Sequence, residues 1–506
     1  MVTRKIPRAI AHRLARQACA GQAMVFTLVF AAVLGIVVLL LFNSGMLANA
    51  KTRVQNAADA GAYSAALLQA RDHNFSAYTN RAMVANQVAV AQFVSLKSYL
   101  EDATDTHQRM DDFLHSFQAS FPDSKPLWDI ASNAPIETSG SVITSIANGA
   151  VPALDLLIKA METAQELHHS VTMLDMMLVA DEVVKRNDPD SAVSTGAFQI
   201  GNTLIQINNW SKYTQRHAAN DDSKEADRFA DVVVDTDSLD SFIQNRASIP
   251  TAAWASGVSY CIGATSSFTF WGFVHGGGSF LSENKKRWLA LDATYGGGAW
   301  TCTYGFPPFE ITIGTPFTDL LGGSGGGLAG SGGGYGEVFG YKNNPFLSHF
   351  YGGGLFVFPP GPIRYGLKGP GSTLDSGGGL QDYYRDLADP TVNIPKDQST
   401  QENGGQVPIT IEVVRQGSTV RTSQKLLPDS NLLKLDDQFK DGSLKTLSSA
   451  HAYFYRPNRD DLSRFLKNGW QRDDNKTEVA NLFNPYWQAR LTERTFAEWL
   501  ASSGLP

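Results

Sequence analysis

A chain of 506 residues with a formal net charge of −7 has material for two or three domains and ample core. Its basic residues gather at one end instead of spreading over a face, which argues against a nucleic-acid binder.

That basic end comes first. Arg4, Lys5, Arg8, Arg13 and Arg16 lie in a leader, residues 1–20, and no acid occurs before Asp59. Met24 to Phe42 follows, uncharged and with Thr27 as its only polar side chain. At ~1.5 Å per residue this run reaches the ~30 Å of a bilayer core, so residues 21–47 are expected to span a membrane and meet lipid. Arg and Lys excess stays in the cytoplasm, which puts the N-terminus inside and exports the remaining ~460 residues. A cleaved signal peptide is the rival, and Ala48-Asn49-Ala50 imitates its cleavage site. Its apolar region would normally be shorter, ~7–15 residues.

Residues 48–120 permit helix throughout, with no proline between Pro7 and Pro122 and no glycine between Gly61 and Gly140. Val54, Ala57, Ala58, Gly61, Ala62, Ala65 and Leu68 share one face at helical spacing. Most of these are small, so Ala57, Ala58, Gly61, Ala62 and Ala65 are expected to admit another helix closely. Asp72-His73-Asn74 reads as an interruption, with Asn80 as a cap and Val84, Val88, Ala91 and Val94 resuming the period. The Val84–Val94 helix folding back, or another subunit, is the expected partner of the small-residue face.

The basic leader, Arg16 to Gln22, one apolar helix, and Lys51 to Ala66 in that order resemble the N-terminal region of TadG-like proteins of the Tad/Flp pilus-assembly system. Arg53, Gln55, Asn56, Ala57, Ala58, Asp59 and Ala60 supply that family's run after the membrane helix. The resemblance covers about the first 70 residues. It implies an inner-membrane protein with a periplasmic body and other pilus-assembly subunits or pilins as partners. Gly21 is followed five positions on by Phe26, where pilins of the system carry Glu, so the resemblance does not extend to prepilin-peptidase processing. The metal-binding DxSxS of some larger relatives is absent as a string.

Residues 121–249 are expected to form a helical domain, staying helical from Ser141 to about Ala247. Leu154, Leu157, Ile158, Met161, Ala164 and Val171 read as an apolar stripe with His168 on it and His169 beside it. Neighbouring histidines point ~100° apart and lack further ligands, so they read as structural and no metal is assigned. Met173 to Leu178 reads as adaptable core. Val232-Val233-Val234 before Asp235 and Asp237 imitates a strand ending in two catalytic carboxylates, but a helix or short strand closed by a capping Asp-Ser turn fits as well.

Residues 250–506 are expected to form a mainly-β domain rich in glycine. Most of the 46 glycines lie between Gly257 and Gly379, and runs such as Gly276–Gly278, Gly325–Gly327 and Gly352–Gly354 read as flexible loops between short strands. Phe309–Ile313 and Ile409–Val413 alternate as half-buried strands do. Gly325–Gly330 satisfies a dinucleotide fingerprint without its strand–helix context, so no cofactor is assigned. Cys261 and Cys302 lie in the part expected to be exported, where disulfides persist, so they are expected to pair, two unrelated buried thiols being the alternative. Ala450–Tyr455 reads as a strand, Leu482–Leu491 as an aromatic segment pinned to a core, and Thr492–Leu500 as a closing helix.

The sequence thus describes an α+β protein: one membrane helix, a helical stalk, a helical domain and a Gly-rich β domain. No catalytic residue emerges. The leading function is a non-catalytic periplasmic component of a pilus-assembly or secretion apparatus. A ligand-binding or adhesion protein is the alternative, and a metal-dependent hydrolase using Asp235 and Asp237 is remote.

Overall fold

The structure is a computed structural model that describes residues 8–120, 136–211, 213–216, 228–246, 265–282, 285, 287–306, 308–318, 324–330, 380–383, 407–423, 442–455, 480–493 and 498. Its axis is one helix, α1 (Arg8–Ser120), unbroken for 113 residues and therefore about 170 Å long. From Met24 to Phe42 nearly every large side chain is exposed, including Phe26 at 76% and Leu41 at 67%. Such a surface is at home in lipid and not in water. From Val54 onward the same helix carries a buried face.

Helix α2 (Ile136–Asn187) lies antiparallel against α1. Ala180 and Val184 meet Gly61, His168 and His169 meet Asp72, and Gln165 meets Ser76 and Asn80. After α2 come β1 (Ser191–Val193), α3 (Ala197–Ser211), β2 (Thr214–Arg216), α4 (Arg228–Val234) and α5 (Ser241–Gln244). The remaining strands are β3 (Thr265–Leu281), β4 (Arg287–Phe306), β5 (Phe309–Thr318), β6 (Ser324–Gly330), β7 (Leu380–Tyr383), β8 (Ile409–Gln416), β9 (Ser443–Phe454) and β10 (Trp487–Thr492).

Two four-stranded antiparallel sheets are stacked along α1. The nearer to the apolar segment has the order β1-β8-β9-β10, with Ser191 opposite Arg415, Ile409 opposite Ala450, and Ala452 opposite Ala489. Its core joins Val54, Ala58 and Ala65 of α1 to Ala180 and Val184 of α2 and to Ile409, Ile411 and Val413 of β8. The farther sheet has the order β3-β4-β5, with β6 pairing the other half of the long β4. Its core joins Val90, Ala91 and Val94 of α1 to Ile158, Phe229, Trp288 and Ala329. Strands β2 and β7 form a separate pair.

Several expectations are corrected. Asp72-His73-Asn74 does not interrupt α1 and Asn80 caps nothing. All four are consumed by tertiary contacts from inside a continuous helix, so Val84–Val94 cannot fold back on the small-residue face. The stretch from Ser141 to Ala247 is not all helix, because β1 leaves it to join β8 and β2 leaves it to join β7. Two of the glycine runs expected to be loops are strand: Gly276–Gly278 lies in β3 and Gly325–Gly327 in β6, while Gly352–Gly354 lies outside the described residues. Strand β8 is buried on both sides and does not alternate. On α2 the buried histidine is His169, whereas Leu157 and Val171 of the expected stripe face solvent.

Candidate functional site: the buried face of the stalk helix

The buried face of α1 is read at helical spacing as Val54, Ala58, Gly61, Ala65, Gln69, Asp72, Ser76, Asn80, Met83, Gln87, Val90, Val94, Ser98 and Asp102. Its first third is small. Ala57, Ala58, Ala62 and Ala65 are fully buried, and a Cβ at Gly61 would fall 2.8 Å from Val184 Cγ2 and 3.0 Å from both the Ala180 oxygen and Ile411 Cδ1. The helix that approaches closely is thus α2, with β8 completing the enclosure. Gly61→Leu is expected to destabilise the body by about 3 kcal/mol, at the upper end of overpacking costs. A urea titration of the detergent-solubilised chain measures it, and an unchanged midpoint would refute this packing.

The middle third is polar, and its side chains close backbone that the sheet leaves open. Gln69 donates to the Val407 oxygen and accepts from the Ala452 amide, both at 2.9 Å. Asn74 does the same for one residue, donating to the Trp487 oxygen at 2.9 Å and accepting from its amide at 3.0 Å. Asn80 donates to the Leu482 oxygen at 2.8 Å, and Arg81 to the Phe483 oxygen and Asn484. Buried amides that find both a donor and an acceptor lose little on burial, and they fix one register of helix against strand.

Two ionic clasps reinforce this face, one within the ladder and one beyond it. In the first, Asp72 is buried and receives His168 Nδ1 at 2.6 Å and His169 Nδ1 at 2.7 Å, while His169 Nε2 faces the Trp210 oxygen at 3.2 Å. Burial pushes the Asp72 carboxyl up, but the two histidines outweigh it and hold it at about 2. Next to it, His73 is stacked among Trp210, Tyr213 and Trp487, and burial drives it down to about 3. His168, more exposed, is raised by the Asp72 carboxylate.

The second clasp joins α1 to the farther sheet. Arg246 grips Asp292 of β4 with two bonds of 2.7 Å. His275 of β3 stands between two carboxylates, Nδ1 3.0 Å from Asp102 of α1 and Nε2 3.3 Å from Asp292. Thr294 also donates to Asp102. Burial alone would lower His275, yet the two carboxylates lift it to about 9. Two acids against Arg246 and a protonated His275 leave the clasp near neutral, the condition under which buried charges are tolerated.

These contacts assign the buried face to holding a rod inside a body, and the family comparison falls on the same rod. Residues 21–70 match the Tad family. Its description reads "Putative Flp pilus-assembly TadE/G-like". No curated protein and no solved structure matches the chain. The Tad segment contains the apolar stretch and the small-residue third of the buried face, and it ends at Ala70, where the polar ladder is beginning.

Outside the Tad segment the structure places the other singled-out residues apart. Val232–Val234 is the end of helix α4, and Asp235 Oδ1 accepts from the Asp237 amide at 2.8 Å in a turn, both side chains exposed. Among the described residues no cluster of three or more His, Cys, Asp or Glu is placed to hold a metal. Cys302 lies in β4 opposite Ser266, and Cys261 lies outside the described residues. The Gly325–Gly330 run is paired in β6 with β4. Phe483 and Trp487 are buried in separate cores, so the aromatic segment is pinned. Of the residues 492–500 expected as a closing helix, only Thr492, Glu493 and Glu498 are described.

The sequence reading missed Gln69, Asp102, Arg246, His275 and Asp292, and took Asn80 for a cap. For the α1 residues a signal existed: uncharged polar and acidic residues continue the small-residue face at the same period. For His275 and Asp292 none did, since their meeting depends on β3–β4 register.

Proposed function

We propose that the chain is a non-catalytic structural component of a Tad/Flp-type pilus-assembly or related secretion apparatus. It is anchored in the inner membrane by residues 24–42, with its N-terminus cytoplasmic and its body periplasmic. One observation carries the reading: a single unbroken helix joins a lipid-suited segment to the core of the body, and the Tad-matched residues straddle that junction. A stalk whose polar residues are spent on holding backbone suits a component that sets the height and orientation of a body above a membrane. The body offers docking surface to other assembly subunits or pilins.

Reporter fusions test the topology. A periplasm-dependent reporter after Pro506 is expected to be active and one after Ala11 inactive, following the basic leader. Deleting the gene is expected to abolish pili, with restoration by the full chain and also by Asp235→Ala. The reverse fusion pattern would overturn the orientation, and wild-type piliation in the deletion strain would overturn the assembly role.

A further inference from the structure

Helix α2 has a second face that no described residue covers. While Ala147, Val151, Ile158, His169, Met176 and Ala180 are buried, the opposite side exposes Ile146, Leu156, Leu167, Val171, Leu174 and Leu178. Helical spacing joins these into one stripe from Val142 to Leu178, and the positions between them are Gly149, Ala153, Ala160 and Ala164. No polar residue interrupts it. Beyond Leu178 the same face passes to Asp181 and Glu182, which pair with Lys185 and Arg186, so the stripe stops abruptly. Leu156, Leu167 and Leu178 are each more than 60% exposed.

The bilayer is not the cover. The Leu178 end of α2 packs near Gly61, and α1 rises about 28 Å between Phe42 and Gly61. The stripe therefore starts well above the hydrocarbon and climbs away from it. A helix stripe about 54 Å long and about 10 Å wide is roughly 500 Å², at the top of the range for the largest apolar patch of a monomer. Two such faces together bury on the order of 1,000 Å², which reaches the size of a specific interface.

We propose that this stripe is the contact between two copies of the chain in one membrane, with their α2 helices parallel and in register. The inference rests on the anchoring given above, because a shared membrane aligns the stalks and sets both stripes at the same height. A two-fold axis along the membrane normal then brings each stripe against itself. Gly149, Ala153, Ala160 and Ala164 let the helices approach closely, and Leu156 and the larger residues at both ends interlock. Flanking charges are sparse, and in a parallel pair Glu166 of one copy does not face Glu166 of the other.

Photo-crosslinking in intact membranes tests it, with p-benzoylphenylalanine placed at Val171 or, as the off-stripe control, at Tyr78 on α1, which is 63% exposed. The Val171 probe is expected to give an adduct of twice the chain mass containing both a tagged and an untagged copy, and the Tyr78 probe none. Leu167→Glu with Leu174→Glu touches only exposed positions and is expected to cut the adduct and co-purification of the two copies at least tenfold. The circular dichroism and protease resistance of that variant should stay unchanged. An adduct to another protein, an internal adduct, or no adduct at Val171 would overturn the proposal. Alkaline extraction of the same membranes reports anchoring separately: a chain released by it would refute the anchor, whereas an extraction-resistant chain without the adduct refutes only the pairing.

Discussion

Replacing Gly325 by alanine is expected to lift β6 off α1. The added Cβ would lie 1.9 Å from the Ser98 oxygen and 2.5 Å from the Asp102 nitrogen, both helix backbone that cannot step aside. The strand must move, and Lys97 would lose its bond to the Gly326 oxygen, 3.0 Å long, while Glu101 lets go of the Gly326 amide. Lys97 is buried, so the loss leaves one of its donors unpaired, with Glu101 as its remaining partner. The destabilisation should reach about 3 kcal/mol or more. Gly276→Ala, whose Cβ meets nothing within 4 Å, serves as the neutral comparison. Urea midpoints of the two detergent-solubilised variants check the expectation, and equal midpoints would remove the steric account of the glycine run.

The second large effect is on the pH dependence of stability. His275 is held at about 9 in the folded chain against 6.5 when unfolded, so its clasp stabilises fully below pH 6.5 and is lost as pH rises to 9. The shift corresponds to roughly 3 kcal/mol. On the acid side the direction reverses. His73 at about 3 and His451 at about 4 are kept neutral by burial, the latter also by the Arg490 charge. Their stabilisation is present above pH 6.5 and is lost as pH falls through their folded values. Unfolding midpoints taken from pH 4 to pH 10 should therefore trace a dome with its top near neutrality. His275→Gln should flatten the alkaline limb and leave the acid limb in place. Asp292→Ala should cost about 3–5 kcal/mol at neutral pH, since the buried Arg246 then loses its carboxylate while His275 keeps only Asp102. An alkaline limb that persists in His275→Gln would show that another group drives it.

Much of α1 was legible because its evidence is local. An uncharged run of bilayer length and a small-residue face at helical period need no tertiary information, whereas the partners of Val54 to Ala65, α2 and β8, could not be read locally. The same local reading failed at Asp72-His73-Asn74. Polar residues in series look like a break until the histidines of α2 and the backbone of β10 supply their partners. Glycine runs misled for a related reason. Glycine permits a loop, but it equally permits a strand to lie on a helix, as at Gly325 and Gly327, and only the neighbouring element decides which. The two-sided burial of β8 was likewise invisible, because it depends on α1 and α3 covering opposite faces of one strand. The clasp at His275 required pairing across β3 and β4, which no spacing within either strand foretells.

The ladder of amides on α1 also dictates an order of assembly. Gln69, Asn74 and Asn80 are synthesised early, yet their partners at Val407, Ala452, Leu482 and Trp487 lie 338 to 413 residues later. Contacts of such separation close slowly, and intermediates that wait for them expose what the native state hides. Until nearly the last strand has been made, the central rod stands with a wet polar seam. A chain halted before Trp487 would keep its anchor and its longest helix but not the strand that Asn74 secures. The rod is therefore the first part of the fold to form and the last to be enclosed, waiting on a strand that lies more than 400 residues later.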